Sequence, residues 1–155
     1  MLRKLDREII VKLMEDSRSP IYRIARELGV SRQAVAKRLE KLKREGMVKF
    51  TAIPDPKSLG LMLKAYILVR VAPGDEVRSR FENKVKRLRQ VSQVHYVYGR
   101  FDVLIEVLVK DHDELSRLVK SLHRLKGVLE TETYIVREPI KDRFLDPLLR
   151  ALKAS

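Results

Sequence analysis

The sequence predicts an α+β protein in two parts, in which three amino-terminal helices precede a region where strands alternate with helices. Two observations predict this organisation. Up to Gly46 the apolar residues recur at the spacing of amphipathic helices, whereas beyond Gly60 stretches that are apolar at every second position alternate with helical stretches. Pro54 and Pro56 lie between the two regions. The change of period around these prolines indicates a boundary between two folding units.

Three amphipathic helices are predicted in the first part. The first covers Leu5–Met14, and the second follows Ser19-Pro20, where a capping serine precedes a proline suited to the first helical position. Gly29 ends the second helix, Ser31 caps the third, and Gly46 closes it. The next segment, Met47–Ile53, alternates in the manner of a strand, so the first part is predicted to be winged-helix-like.

The second part is predicted to follow the order βαββαβ. Its strands and helices, in chain order, are Leu63–Ala72, Asp75–Val91, Val94–Tyr98, Phe101–Val109, His112–Lys126 and Val128–Val136. A tight hairpin turn at Gly99-Arg100 is predicted between the second and third strands. This order is that of the ferredoxin-like fold, an antiparallel sheet with both helices on one face.

The strand Phe101–Val109 predicts self-association. Large apolar side chains occupy both of its faces, with Val103, Ile105, Val107 and Val109 on one and Leu104 and Leu108 on the other. The helices cover one face of the sheet, so a second copy of the chain is expected to cover the other. We therefore expect residues 1–50 to form the first domain, 51–60 a connector, 61–141 an oligomerising domain, and 142–155 a tail helix capped by Asp146-Pro147.

Composition favours a polyanionic partner. The chain has 34 Lys and Arg against 21 Asp and Glu, a net charge of +13. It has no cysteine, and its three histidines lack paired ligand spacing, so neither a metal nor a cofactor is predicted. The apolar runs are too short to span a membrane and the amino terminus lacks signal-peptide features, which predicts a cytoplasmic protein. The small number of Asn and Gln beside many charged residues is typical of thermophilic proteins.

Residues 21–35 have the spacing of a helix-turn-helix. Ala25, Gly29 and Val35 supply the small residue, the turn glycine and the buried residue that the motif requires. A three-helix bundle that binds no DNA has similar apolar spacing. The third helix argues against that alternative, because residues 31–45 contain six basic residues and two acidic ones.

The amino-terminal part of the third helix is expected to meet base edges in the major groove. The candidate residues are Ser31, Arg32, Gln33, Ala36 and Lys37. Arginine and lysine suit guanine, and glutamine suits adenine. Lys41 lies further along the helix, where it is expected to contact phosphate or to remain solvated.

The whole pattern resembles the Lrp/AsnC regulators, also called feast/famine regulators. The resemblance rests on the order of Leu5-Asp6, Gly29-Val30-Ser31, Arg38-Leu39, Glu45-Gly46, Asp55-Pro56, Leu59-Gly60 and the βαββαβ region. It implies a sequence-specific transcriptional regulator. It further implies a homodimer, often assembled into octamers, that binds palindromic double-stranded DNA and responds to amino acids.

The resemblance also implies an effector site between subunits near a Gly-x-x-Asp turn, here Gly99, Arg100, Phe101 and Asp102. Glycine lets backbone amides approach a carboxylate, and aspartate suits an ammonium group. Thr131 and Thr133 are similar to hydroxyl-bearing positions that the family has near the same pocket.

Plainer interpretations of these residues remain open. Gly99 serves equally well as a hairpin turn, Asp102 as a satisfied edge residue, and the two threonines as ordinary strand residues. Arg100 is a departure from the amino-acid responders of the family. The alternative function is that of an architectural DNA-binding protein that needs no effector. An enzyme is least favoured, because the sequence has no nucleophile–base arrangement or phosphate-binding glycine loop.

Overall fold

A computed structural model describes residues 2–154, which fold as two compact units. One unit contains the described residues up to Ala52 together with those from Ile140 onward, and the other contains Ile53–Pro139. The elements of the described range are α1 (Lys4–Glu15), α2 (Ile21–Leu28), α3 (Arg32–Arg44), a 3-10 helix (Pro56–Leu59), β1 (Leu63–Val71), α4 (Asp75–Val85), β2 (Val91–Tyr96), β3 (Val103–Val109), α5 (His112–His123), β4 (Val128–Ile135) and α6 (Leu145–Lys153). None of the helices between residues 2 and 154 combines the length and apolar character that crossing a membrane requires.

The first unit is built on the apolar faces of α1, α2 and α3. Its buried core consists of Ile9, Leu13, Ile24, Ala25 and Val35. The tail helix α6 contacts α1, and the Nζ atom of Lys153 lies 3.9 Å from Oε1 of Glu15. A side-chain hydrogen bond also joins α1 to α2. It runs from the Lys12 ammonium to the Glu27 carboxylate over 2.8 Å. That bond raises the pKa of Lys12 and lowers the pKa of Glu27.

The second unit is an antiparallel sheet in the order β2-β3-β1-β4, with α4 and α5 packed on one face. Ile67 of β1 pairs with Ile105 of β3 on one side and with Thr133 of β4 on the other. Phe81 of α4 and Leu118 of α5 are buried against these strands. The predicted ferredoxin-like arrangement is therefore confirmed.

The two faces of the sheet differ as the alternation predicts. Val103, Ile105, Val107 and Val109 are at most 1% exposed beneath the helices. The opposite face, which we call the open face, consists of Lys64, Tyr66, Leu68, Arg70, Leu104, Glu106, Leu108, Glu130, Glu132 and Tyr134. Its leucines are half-buried. No helix of the described residues lies on the open face in the core packing of this unit.

The predicted strand Met47–Ile53 was wrong. Residues Val48–Asp55 have no regular structure, and Met47, Phe50 and Ile53 are exposed. A strand requires a neighbour with which to exchange backbone hydrogen bonds. The part of the chain that the structure describes supplies none beside this segment.

Helix α4 is shorter than the predicted range Asp75–Val91, for a reason that lies in the sheet. Val91 is the first residue of β2 and pairs with Val107 of β3. The chain must therefore leave the helix after Val85, and the N–H of Val91 donates to the carbonyl of Leu88 at 3.2 Å in the turn between them. Strand pairing outweighs the helical periodicity here.

Two predicted caps also differ. Helix α6 begins at Leu145, and the Asp146 carboxylate forms an ion pair with Lys141 at 2.9 Å instead of capping it. Pro20 occupies the N-cap of α2, while the hydroxyl of Ser19 donates to Asp16 at 3.1 Å. Neither residue stands at an N-cap position, because α2 begins one residue later than predicted and Asp146 lies within the first turn of α6.

Candidate functional site

The turn between α2 and α3 has the geometry that a helix-turn-helix requires. Gly29 ends α2 in the left-handed region at φ 66°, a conformation that costs glycine little. The N–H of Val30 then donates to the carbonyl of Ala25 at 3.0 Å. Ser31 begins the next helix, its hydroxyl accepting from the N–H of Ala34 at 3.1 Å.

The inner side of the motif is buried as its spacing predicts. Ile24 and Ala25 of α2 are 1% and 2% exposed, and Val35 of α3 is fully buried. The small side chain of Ala25 lets α3 approach α2 closely. The orientation of α3 is therefore determined by apolar contacts on its inner side, which leaves the outer side free for another partner.

The outer side of α3 carries most of the predicted DNA-contacting residues. Ser31, Arg32, Gln33 and Lys37 are exposed at the amino-terminal turns of the helix, whereas Ala36 is half-buried. The four polar candidates are thus all accessible at the amino-terminal end of α3. A side chain as short as that of Ala36 can offer only a methyl contact there.

Lys41 lies in the carboxy-terminal half of α3 and has a partner. Its Nζ atom is 3.6 Å from Glu45, and its side chain is 45% exposed. Lys43 is similarly 2.9 Å from Glu40. Among residues 2–154, Arg32 and Lys37 of the predicted base-reading set form no ion pair, and neither does Arg44 at the carboxy-terminal end of the helix.

Sequence reasoning missed two side chains that restrain α3. The guanidinium carbon of Arg32 lies 5.7 Å from the centroid of the Tyr22 ring on α2. Arg38 forms an ion pair with Asp6 of α1 at 2.8 Å. The sequence offered two signals, an aromatic residue at Tyr22 in the helix-turn-helix and a charged residue at Asp6 among the apolar positions of α1. Neither signal indicates which residue the side chain contacts.

The predicted effector turn is the loop that joins β2 to β3. The N–H of Val97 donates to the carbonyl of Asp102 at 2.9 Å and closes this loop. Gly99 adopts φ 152°, which a side chain would disfavour, and it is exposed. Phe101 is buried and anchors the loop. The predicted two-residue hairpin turn is therefore a longer loop.

Asp102 already has a backbone partner. Its Oδ2 atom accepts from the N–H of Val71 at 2.8 Å, and its own N–H donates to the carbonyl of Val69 at 3.0 Å. These bonds hold the loop against the end of β1. A carboxylate has several acceptor positions, so one backbone bond does not exhaust it.

Arg100 points to the open face. It forms an ion pair with Glu130 at 2.8 Å, and Arg70 reaches the other oxygen of the same carboxylate at 3.0 Å. The Arg100 side chain remains 71% exposed. The arrangement is a cluster of two cations and one anion at the edge of the open face.

Thr131 and Thr133 lie on the opposite side of β4 from Glu130. They pair with Val69 and Ile67, whose side chains face the helices. Because paired residues of antiparallel strands point to the same side, both threonines share that side and are half-buried there. The structure brings Gly99, Arg100 and Asp102 into one loop, but it does not bring the threonines to the open face with Arg100.

Comparison with known protein families identifies the family of this chain. Residues 4–43 match the AsnC-type helix-turn-helix domain, and residues 64–145 match the Lrp/AsnC ligand binding domain. The chain belongs to the Lrp/AsnC family. It is accordingly a transcriptional regulator with a helix-turn-helix DNA-binding domain and a ligand-binding domain.

Individual relatives cover nearly the whole of this Lrp/AsnC chain. The HTH-type transcriptional regulator FL11 of Pyrococcus horikoshii is 30% identical over 91% of this chain and 93% of its own length. The leucine-responsive regulatory protein of Escherichia coli is 30% identical over 90% and 87%. The solved structure of a Neisseria meningitidis transcriptional regulator in complex with L-methionine covers 96% of this chain and all of its own, with 26% identity and a TM-score of 0.86. Escherichia coli AsnC covers 92% and 97%, with 27% identity and a TM-score of 0.84.

Proposed function

We propose that this regulator binds a palindromic operator as a homodimer or a higher oligomer, and that an amino acid or a related zwitterion bound between subunits modulates that binding. The observation that carries the proposal is the exposed amino-terminal end of α3, where Arg32, Gln33 and Lys37 lie beside a capped helix start. This combination of side chains suits direct reading of base edges in the major groove.

In the proposed division of labour, residues 1–50 contact DNA, 51–60 connect, 61–141 assemble the oligomer and sense the effector, and 142–155 form the tail. Ser31 and Ala36 contribute close contacts at the groove, and Lys41 exchanges its Glu45 partner for a phosphate. We propose a cytoplasmic location, where the DNA partner lies, and no catalytic role. FL11 and the Neisseria relative are named as transcriptional regulators, which supports both statements.

Assembly is proposed to cover the open face of the sheet. Leu68, Leu104 and Leu108 offer apolar area there, and Arg70 and Glu130 offer charges of both signs at the edge. A two-fold operator needs two recognition helices about 34 Å apart, which one chain cannot supply. Self-association through a self-complementary surface would provide the second helix.

The effector is proposed to lie at the β2–β3 loop, with the backbone of Gly99 near its carboxylate and Asp102 near its ammonium. The accessible loop and the remaining acceptor positions of Asp102 support this arrangement. Thr131 and Thr133 would contribute hydroxyl groups only if a neighbouring subunit brings their side of β4 to the pocket. Arg100 would favour an acidic metabolite by adding a cation. The L-methionine complex of the Neisseria relative is what makes an amino acid the first ligand to test.

A second candidate function has one observation in its favour. Asp102 accepts a hydrogen bond from the N–H of Val71, and Arg100 forms an ion pair with Glu130. Both charged side chains of the loop therefore have partners within the chain without a ligand. An architectural DNA-binding protein that needs no effector would be expected to have such a loop.

One experiment separates the two candidates. DNA sites are selected from a random pool by the full-length protein, and the selection is repeated with each of the twenty amino acids. The regulator is expected to prefer its selected site to random DNA by about 10³-fold or more at equal salt, with one amino acid altering the affinity. An architectural protein would yield no consensus and no response.

A further inference from the structure

We propose that Tyr22 is a positioning residue for DNA recognition, whose ring holds the guanidinium of Arg32 at the start of α3. The inference rests on the proposed base-reading role of Arg32. It adds a residue from the other helix of the motif, at a position that the AsnC-type spacing does not require.

The geometry is that of a cation–π contact on the surface. The Cζ atom of Arg32 is 5.7 Å from the ring centroid of Tyr22, within the distance at which the ring attracts a cation. Tyr22 is 50% exposed although it is a large aromatic residue, and Arg32 is exposed beside it. The ring is therefore not part of the hydrophobic core of the first unit. In the proposed complex, the contact lies on the side of the motif that faces DNA.

The surroundings of Arg32 make this contact its principal restraint. No carboxylate of residues 2–154 forms an ion pair with Arg32, whereas Arg38 is paired with Asp6 and Lys41 with Glu45. An ion pair must break before its cation can bind DNA. A ring attracts the guanidinium without supplying an acceptor for its N–H groups, so the donors stay available for a guanine edge.

Such a contact would favour sequence discrimination. A free arginine side chain loses rotamer freedom when it is fixed against a base, and holding it in advance reduces that loss. The advantage is realised only where Arg32 makes its directional bonds. Loss of the ring should therefore lower affinity for the correct base pair more than affinity for DNA in general.

The test uses the full-length protein and the operator selected from random DNA, in a double-mutant cycle. Tyr22→Leu, Tyr22→Phe, Arg32→Ala and Tyr22→Leu/Arg32→Ala are titrated at equal salt against this operator and a variant of it. The variant is changed at the base pair that Arg32→Ala ceases to discriminate. Thermal unfolding of each protein checks that the fold is retained.

We expect Tyr22→Leu to reduce the discrimination ratio roughly twofold to fivefold, the factor that corresponds to an exposed cation–π contact. Tyr22→Phe should keep the ratio, because it retains the ring and lacks only the hydroxyl. In the Arg32→Ala background the leucine change should have no further effect on discrimination.

Three results would overturn the proposal. If Tyr22→Leu keeps full discrimination while Arg32→Ala loses it, Arg32 reads bases without help from the ring. If Tyr22→Leu weakens binding equally with and without Arg32, Tyr22 contacts DNA itself. If Arg32→Ala leaves discrimination intact at every base pair, the base-reading role of Arg32 fails, and the positioning role fails with it.

Discussion

Two nitrogens of Arg38 on α3 contact the carboxylate of Asp6 on α1. Its Nη2 atom donates to Oδ2 at 2.9 Å, and its Nε atom lies 2.8 Å from Oδ1 in an ion-pair contact without hydrogen-bond geometry. The N–H of Arg3 donates to the same carboxylate at 3.2 Å. Only 18% of the Arg38 side chain and 11% of the Asp6 side chain remain exposed. The recognition helix is thereby tied to α1 by a pair that is largely withdrawn from water.

The first prediction concerns this ion pair. Asp6→Ala should lower the free energy of unfolding of the first unit by roughly 2 to 4 kcal/mol, because Arg38 is left largely buried without its partner. Glu40→Ala is the matched control. It removes a carboxylate from the exposed pair with Lys43, and it should cost at most about 1 kcal/mol. Urea unfolding followed by circular dichroism measures both, and equal losses in the two variants would contradict the prediction.

The second prediction separates base reading from phosphate contact. Arg32→Ala and Gln33→Ala should each cost about 1 to 3 kcal/mol at the selected operator and relax preference at one base pair. Lys41→Ala should weaken binding to all DNA similarly and lower the salt dependence of binding by about one phosphate. Titrations against operator and scrambled DNA at several salt concentrations provide the measurement. Unchanged discrimination in both amino-terminal variants would count against the proposed interface.

The third prediction concerns assembly through the open face. Leu104→Glu should shift the oligomer towards monomer, because it would bury an unpaired carboxylate at the subunit contact. Leu129→Glu is the control, since Leu129 is an exposed leucine of the same sheet that lies at the bulge of β4, outside the strand pairs that define the open face. Light scattering over a range of concentrations reports the mass. Retention of the parental mass by Leu104→Glu would exclude this face as the contact.

The fourth prediction is an acid sensitivity that originates at Glu106 on the open face. Burial acts to raise the pKa of its carboxyl, but hydrogen bonds from Ser92, Lys64 and Tyr66 outweigh burial, and the pKa lies below its ordinary value of 4.5. A depressed pKa in the folded state stabilises the fold above pH 4.5, and this stabilisation is lost as the pH falls through the folded value. We expect Glu106→Gln to flatten the dependence of the unfolding midpoint on pH below about 4.5.

The matched variant for that experiment is Glu138→Gln. Its side chain is 64% exposed and its ion-pair partner, Arg137, is its immediate neighbour in the chain. Its removal should leave the acid limb of the stability curve as it is in the parent. If Glu106→Gln follows the parental curve as closely as Glu138→Gln does, the network around Glu106 contributes no acid sensitivity.

The fifth prediction tests the effector loop. Asp102→Asn keeps an oxygen that can accept from the N–H of Val71 but removes the negative charge. Calorimetry against the twenty amino acids and common carboxylates should therefore show loss of a zwitterionic ligand in Asp102→Asn with little change in stability. Asp102→Ala should lose both the ligand and the stability that the hydrogen bond with Val71 provides. Parental affinity in Asp102→Asn would remove Asp102 from the ligand site.

Much of the first unit was predictable, because its elements depend on local features. The spacing of Ala25, Gly29 and Val35 predicted the buried and turning positions of the helix-turn-helix, which the structure confirms. The Arg38 contact with Asp6 was not predictable. The two residues are far apart in the chain, and both also occur commonly as solvated charges.

The sequence by itself determined the order of the elements, the apolar face of each strand and the basic outer side of α3, since periodicity and charge are properties of neighbouring residues. Tertiary structure alone decided where α4 stops, because Val91 is needed opposite Val107, and it alone left Met47–Ile53 without a strand partner. It also decided the side of the sheet on which each candidate ligand residue lies. The pairing of Thr131 with Val69 and of Thr133 with Ile67 places both threonines on the helix side of the sheet. Arg100, by contrast, contacts Glu130 on the open face. Register between distant strands determines such placements, and it arises only when the sheet assembles.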